Sequence, residues 1–551
     1  MPIYHPQLFA PASTAFTRLT LLIALLSWLV QFLVFANNRL IVDTGYAKYR
    51  GNLSYPDTVA YLGIPYAEPP LGDRRFRAPI PLDTARIAQE ADGAIFDAAS
   101  YPNFCIQGST GAGDAGGAGS EDCLKVNIYS PINGSDLPVL VYIHGGAYVY
   151  GNPANFPFDH WVHQSPNVVI VSIYYRLSSF GFLAIPEFAD STNGDFNVGF
   201  LDQIQALKWV KRYIRAFGGD PSRVTINGQS AGGSSVELHL VAHEDESLFS
   251  GAIVQSAYRA PLPFPEQQRP LFDFYAKRAG CGSGSLDFKL QCLREADVSA
   301  LAHAQDAAAS GEFAGPYNVF HPVVDGKIFT EFPTVSMALG HFARVPLIVG
   351  ATSNESYAPG YDIPSSLKIL FPGLDEQDTS EYLLAYPSSD FDSEEQRLAA
   401  ATGESLNRCC RQILASAYSS QTINTWAYRY NQPNPTSGSP TIVAHAAENW
   451  MMFLGSNTGY NGSATFSPMT PEETAFSQEL IAYWLSFVRA QDPNTFKLKR
   501  SPSWDRFSLD EERQIVLQQN TTTNGSFVEL ADEKEVARCQ FVASKVEKEQ
   551  N

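Results

Sequence analysis

The chain has 551 residues, and 57 acidic against 38 basic side chains give it a formal net charge of −19. Hydrophobic residues make up 44% and charged ones only 17%, which excludes intrinsic disorder. The acidic excess argues against a nucleic-acid binder, which needs a basic surface, and glycine and proline follow no collagen-like period.

At the N-terminus, Leu19 to Ala36 is almost wholly apolar, with Arg18 before it and Val34-Phe35-Ala36 at its end. This reads as a secretory signal cleaved before Asn37. The run is also near the shortest length that spans a bilayer, so an uncleaved type II anchor, residues 1–36, is the alternative. Either reading sends residues 37–551 into the secretory pathway, with no stable membrane partner if the signal is removed. Sequons at Asn52, Asn133, Asn354, Asn461, Asn520 and Asn524 fit that compartment.

The seven cysteines are 105, 123, 281, 292, 409, 410 and 539. In an oxidising compartment they form bridges, and Cys105 with Cys123 and Cys281 with Cys292 are the pairings of low loop entropy. The odd count leaves one thiol over. Gly111 to Gly116 matches G-x-G-x-x-G, but no strand precedes it and no helix follows, so it reads as a loop rather than a dinucleotide site.

Val139 to Ile143 and Val168 to Ile173 read as buried strands. Leu201 to Ala216 carries Ile204, Leu207, Val210 and Ile214 at helical spacing. Val224 to Ile226 is a strand, Ser234 to His243 a helix, Leu347 to Val349 a further strand, and Asp532 to Glu547 a closing helix. The alternation predicts an α/β fold with a large, mostly parallel sheet flanked by helices, without internal repeat or long linker.

Two motifs carry chemistry. Gly228-Gln229-Ser230-Ala231-Gly232 lies between a strand and a helix, the setting in which G-x-S-x-G lifts a serine out of a sharp turn. His144-Gly145-Gly146-Ala147-Tyr148 ends an earlier strand, where small residues let backbone amides approach a developing oxyanion.

With these residues in place, the chain resembles the type-B carboxylesterase/lipase family of cholinesterase-like α/β-hydrolases, from about residue 38 to 545. Gly63 to Pro70 with Arg75-Phe76, Glu121 to Leu124 with Asn127, Tyr175-Arg176-Leu177 with Gly181-Phe182, and Asp202-Gln203 with Phe217 to Pro221 match family motifs in family order. The resemblance implies a triad of Ser230, Glu355 and His445, with Gly146, Ala147 and Ala231 as oxyanion donors. It implies a small-molecule ester substrate and no metal or cofactor. It supports the two local disulfides and adds a third, from Cys409 or Cys410 to Cys539. It makes Arg75–Glu121 and Arg176–Asp202 structural ion pairs. If the Glu355 carboxylate is buried beside His445, the Asn354 sequon is expected to stay bare. Tyr148, Trp450, Met451 and Met452 are candidates for the pocket wall, with core packing the alternative for the last three.

The sequence departs from the family in two places. Gln229 stands where most relatives have glutamate, and the Cys105–Cys123 loop has no tryptophan and one large aliphatic residue, Ile106. Choline esters are disfavoured, because the aromatic cation site is missing, and so is an amphipathic lipase lid. A secreted carboxylesterase is therefore expected. A lipase or sterol esterase and a non-catalytic adhesion domain are the alternatives. The acyl and alcohol groups and the oligomeric state have no signature in the sequence.

Overall fold

The computed structural model describes residues 1–2, 40–108, 119–242, 248–438, 441–458, 464–519 and 525–551. The N-terminal apolar run, the Gly111–Gly116 stretch, His243 and the sequons at Asn461, Asn520 and Asn524 lie outside these residues. Among the described residues no helix is long and apolar enough to cross a membrane.

An eleven-stranded sheet organises the chain. Its strands are β1 (Asn52–Tyr55), β2 (Thr58–Pro65), β3 (Lys125–Pro131), β4 (Leu137–Ile143), β5 (Val169–Ile173), β6 (Gly219–Gln229), β7 (Gly251–Gln255), β8 (Leu347–Thr352), β9 (Thr425–Tyr430), β10 (Arg513–Leu517) and β11 (Phe527–Leu530). The spatial order is β11-β10-β9-β8-β7-β6-β4-β5-β3-β2-β1. Every neighbour from β10 to β5 pairs in parallel. Antiparallel strands finish both edges.

The two-residue period of the strands sorts their side chains into two cores. Val139, Val141, Ile143, Val254 and Val349 face one cluster, and Leu140, Tyr142, Ile253, Ile348 and Trp426 face the other. Both faces are covered, as parallel sheets require. Helices α1 (Val198–Tyr213), α2 (Ala231–Ala242) and α3 (Cys409–Ser420) cover the first. Helices α4 (Ala447–Met452) and α5 (Pro471–Ala490) cover the second. Near the C-terminal end, α6 (Glu533–Ser544) is capped by Asp532, whose side chain accepts from the Glu535 amide.

The predicted elements are present with shifted ends. The strand expected at 224–226 extends to Gly219–Gln229: Gly219 pairs with Leu137, Asp220 to Arg223 form an irregular step without ladder partners, and pairing resumes at Val224. The helix expected from Ser234 begins at Ala231. Gly232 and Gly233 are poor helix formers, but their missing Cβ atoms let the helix press on the sheet: a Cβ on Gly233 would lie 2.7 Å from the Gln255 carbonyl.

Disulfides join Cys105 to Cys123 and Cys281 to Cys292, and Cys409, not Cys410, to Cys539. Cys410 is the free, buried thiol. The ion pairs Arg75–Glu121 and Arg176–Asp202 form at 2.7 Å, the latter fully inside the fold. Because the Cys409–Cys539 bridge closes 130 residues, Cys539→Ser is expected to lower stability by about 2–5 kcal/mol, measured by urea denaturation.

Candidate active site

Ser230 stands where β6 ends and α2 begins, with φ of +60°. That left-handed conformation is costly for a serine and marks a forced reversal. Glycines make the reversal possible. A Cβ on Gly228 would lie 2.2 Å from the Gly232 carbonyl, and one on Gly232 would lie 2.0 Å from the Ile143 carbonyl. The Ser230 amide donates to the Gln255 carbonyl at 2.9 Å. Its carbonyl accepts from the Ser234 and Tyr258 amides at 2.9 and 3.3 Å.

Glu355 lies just beyond β8, and His445 in the loop between β9 and α4. The two turns are tied by a reciprocal pair: the Asn354 amide donates to the Val443 carbonyl at 3.1 Å, and the Val443 amide to Asn354 Oδ1 at 2.9 Å. In consequence His445 Nδ1 is 2.6 Å from Glu355 Oε2, and His445 Nε2 is 2.7 Å from Ser230 Oγ. The structure thus brings the three predicted residues into one hydrogen-bonded line. The Glu355 carboxylate is buried, while the His445 side chain keeps 32% of its surface exposed. Asn354 itself is exposed, with its side-chain oxygen already engaged.

The electrostatics favour a charge pair between the last two members. Burial would raise the Glu355 carboxyl, but His445 and the Thr352 amide bring it below its ordinary value. Burial would lower His445, yet the charge and hydrogen bond of Glu355, with help from Glu448, raise it. Glu448 behaves in the opposite way. It has no such partner, and burial together with the Glu355 charge pushes it up to about 7. A carboxyl of that kind sits close to neutral beside an ionised one. The Asn354–Val443 tie and the electrostatic effect of Glu448 on its neighbours are contributions that sequence reasoning did not anticipate.

The turn after β4 packs directly on this elbow: a Cβ on Gly145 would lie 2.5 Å from the Gln229 carbonyl and 2.8 Å from the Ser230 Cβ. Gly146 and Ala147 follow with φ of +112° and +51°, and Ala231 opens α2 beside the serine. Gln229 contacts His445 at 3.4 Å and accepts from the Asn449 amide group at 3.4 Å. This uncharged side chain is therefore near the His445 ring.

Of the four expected pocket residues, Tyr148 is buried in the core and borders a void of about 10 Å³ beside Ser234 and Tyr258, which neither Ser230 nor His445 lines. Trp450, Met451 and Met452 belong to the core, packed with Phe158, Trp161, Phe453 and Trp484, which corrects the pocket expectation for these three. The cause is local. Ala446 takes φ of +63° directly after His445 and turns α4 inward, toward α5.

Residues 38–542 match the model of the Carboxylesterase family. The acetylcholinesterase of Bungarus fasciatus is 29% identical over 504 residues, which covers 83% of this chain and 79% of that protein. The acetylcholinesterase of Electrophorus electricus is 29% identical over 539 residues, with 84% and 82% covered. The crystal structure of Aspergillus niger EstA superposes with a TM-score of 0.80 at 30% identity, covering 93% of this chain and 99% of that one.

The elbow's close approach can be tested directly. Gly232→Ala drives a methyl into the backbone at Ile143 and is expected to cost about 1–3 kcal/mol, as overpacking does; thermal melting measures it.

Proposed function

The chain belongs to the carboxylesterase family and is a carboxylic ester hydrolase; from that premise we propose a secreted serine esterase that cleaves soluble, short-chain esters through an acyl-enzyme on Ser230. The observation that carries this reading is the line from Glu355 Oε2 through both ring nitrogens of His445 to Ser230 Oγ, at 2.6 and 2.7 Å.

On this reading His445 takes the Ser230 proton as the hydroxyl attacks the ester carbonyl. Glu355 holds the ring and stabilises the imidazolium. Backbone amides of Gly146, Ala147 and Ala231 receive the oxyanion. The alcohol leaves with the proton from His445, and water then releases the acid by the same route. The disulfides support an oxidising compartment, and a cleaved leader before Asn37 is the proposed way into it. The relatives named as acetylcholinesterases do not extend to choline esters here. The Cys105–Cys123 loop has no tryptophan, and Gln229 carries no charge to hold a quaternary ammonium.

A fluorophosphonate probe is expected to label the wild type at Ser230 and to leave Ser230→Ala unlabelled, with ester hydrolysis lost in step. Absence of labelling in the wild type would remove the esterase reading. Across p-nitrophenyl acetate to palmitate, simple saturation on the short chains is expected. A sharp rate increase on emulsified long-chain esters would favour a lipase instead.

The pH dependence has a definite sign. The base must be neutral, and Glu355 favours its charged form, so kcat/KM is expected to fall with decreasing pH through a value above the ordinary imidazole pKa. Glu448→Gln removes a carboxyl that is only partly ionised near neutral pH, and is expected to move that acid limb slightly to lower pH, read from the pH–rate profile.

A further inference from the structure

Both peptide groups of Ser230 are tied to one short stretch of chain. The serine amide donates to the Gln255 carbonyl at 2.9 Å, and its carbonyl accepts from the Tyr258 amide at 3.3 Å. Between these contacts the Ser256 amide donates to the Gly350 carbonyl at 2.8 Å, on the strand that leads to Glu355. Residues 255–258 thus link the turn of the nucleophile to the strand of the acid. β7 ends at Gln255, so the ladder does not continue through this link. Ser256 reverses the chain with φ of +44°. A serine holds that conformation only where its surroundings impose it.

The imposing contact comes from a distant segment. The side-chain amide of Asn407 donates to the Ser256 carbonyl at 3.2 Å and to the Ala257 carbonyl at 3.1 Å. Asn407 is buried, 5% exposed. Its neighbours add to the hold. The Arg259 amide donates to the Leu406 carbonyl at 2.8 Å, and Arg259 Nη1 donates to the Ser405 carbonyl at 2.7 Å. Ser405, Leu406 and Asn407 lie in Glu404–Arg408, a π-helical turn leading into α3. Such turns are rare and recur at functional sites. Just before it, the chain abuts the acid: a Cβ on Gly403 would lie 1.7 Å from the Glu355 carbonyl. Just after it, Cys409 is bridged to Cys539. Gly403 to Asn407 therefore meets the Glu355 backbone at one end and the support of Ser230 at the other.

We propose that Asn407 is a positioning residue that clips the reversal at Ser256 and thereby sets Ser230 Oγ in line with His445 and Glu355. The inference rests on the esterase reading above. It gives a role to an asparagine that no motif marks. Ser256 and Ala257 present two successive carbonyls, and the two hydrogens of one amide serve both. A serine hydroxyl reacts only when aligned with its base, and a misplacement of about 1 Å can cost about 100-fold. Substrate binding needs no such alignment, so the loss falls on kcat.

The test uses the full-length enzyme, p-nitrophenyl acetate and a fluorophosphonate that titrates active sites, well below the melting temperature. Asn407→Leu keeps the size of the side chain and donates nothing. It is expected to lower kcat per titrated site by about 10- to 100-fold, with KM within about twofold. The rate of fluorophosphonate labelling should fall by a similar factor, because it depends on the same aligned nucleophile. An asparagine that only stabilises the fold would lower the melting temperature and leave both rates alone. For Asn407→Leu, kcat or a labelling rate within about twofold of wild type overturns the inference. Should the Leu variant not fold, Asn407→Ser carries the test. Its single hydroxyl serves at most one of the two carbonyls, so kcat is expected to fall by at least about threefold, and wild-type kcat overturns the proposal. A wild type that is itself inactive and unlabelled overturns the esterase reading and this inference together. An active wild type matched by its Asn407 variants overturns the inference alone.

Discussion

The approach of two chain reversals, one after Ile143 and one at Ser230, is the constraint from which the rest of the site follows. They meet at distances that no Cβ would allow, through Gly145, Gly228 and Gly232. Parallel pairing of β4 with β6 sets their height, since Ile143 lies opposite Gly228. Once the register is fixed, the serine and the oxyanion turn have no freedom to separate. The strained φ values at Ser230, Ala147 and Tyr148 are sustained by this packing.

The electrostatic design depends on the same sheet. Glu355 is buried, yet it stays ionised because the His445 ring and the Thr352 amide converge on it. Glu448 lies close by without equivalent donors and is held near neutrality. Two buried carboxyls of the same intrinsic chemistry are thereby driven in opposite directions by what faces them. The arrangement concentrates negative charge on one side of His445, where it orients the ring, and leaves the serine side of the ring free of it.

Much of this was legible in the sequence. The β-branched runs gave the parallel strands. G-x-S-x-G marked Ser230, and family motifs marked Glu355 and His445. These signals are local, and Ser230 and Glu355 sit just past the ends of strands. What stayed hidden depends on contacts between distant segments. The choice of Cys409 over Cys410 depends on which face of α3 meets α6. Trp450, Met451 and Met452 follow His445 closely along the chain but pack into the core, where one left-handed residue, Ala446, turns the helix. Sequence proximity carries no direction. The helix starting at Ala231 was read too short for the opposite reason: propensity penalised the glycines on which its contact with the sheet depends.

The Cys409–Cys539 bridge has a consequence for how the molecule meets a protease. Every peptide bond between these residues lies within one covalent ring, and that ring contains β9, His445 and the edge of the sheet. A protease that cuts a surface loop there opens the ring without releasing a fragment. The segment that bears the imidazole remains moored to the body that bears Ser230 and Glu355, so a single nick need not disperse the catalytic apparatus. For an enzyme exposed to hydrolytic neighbours, this tether turns a first cleavage from loss of a part into a change of connectivity alone.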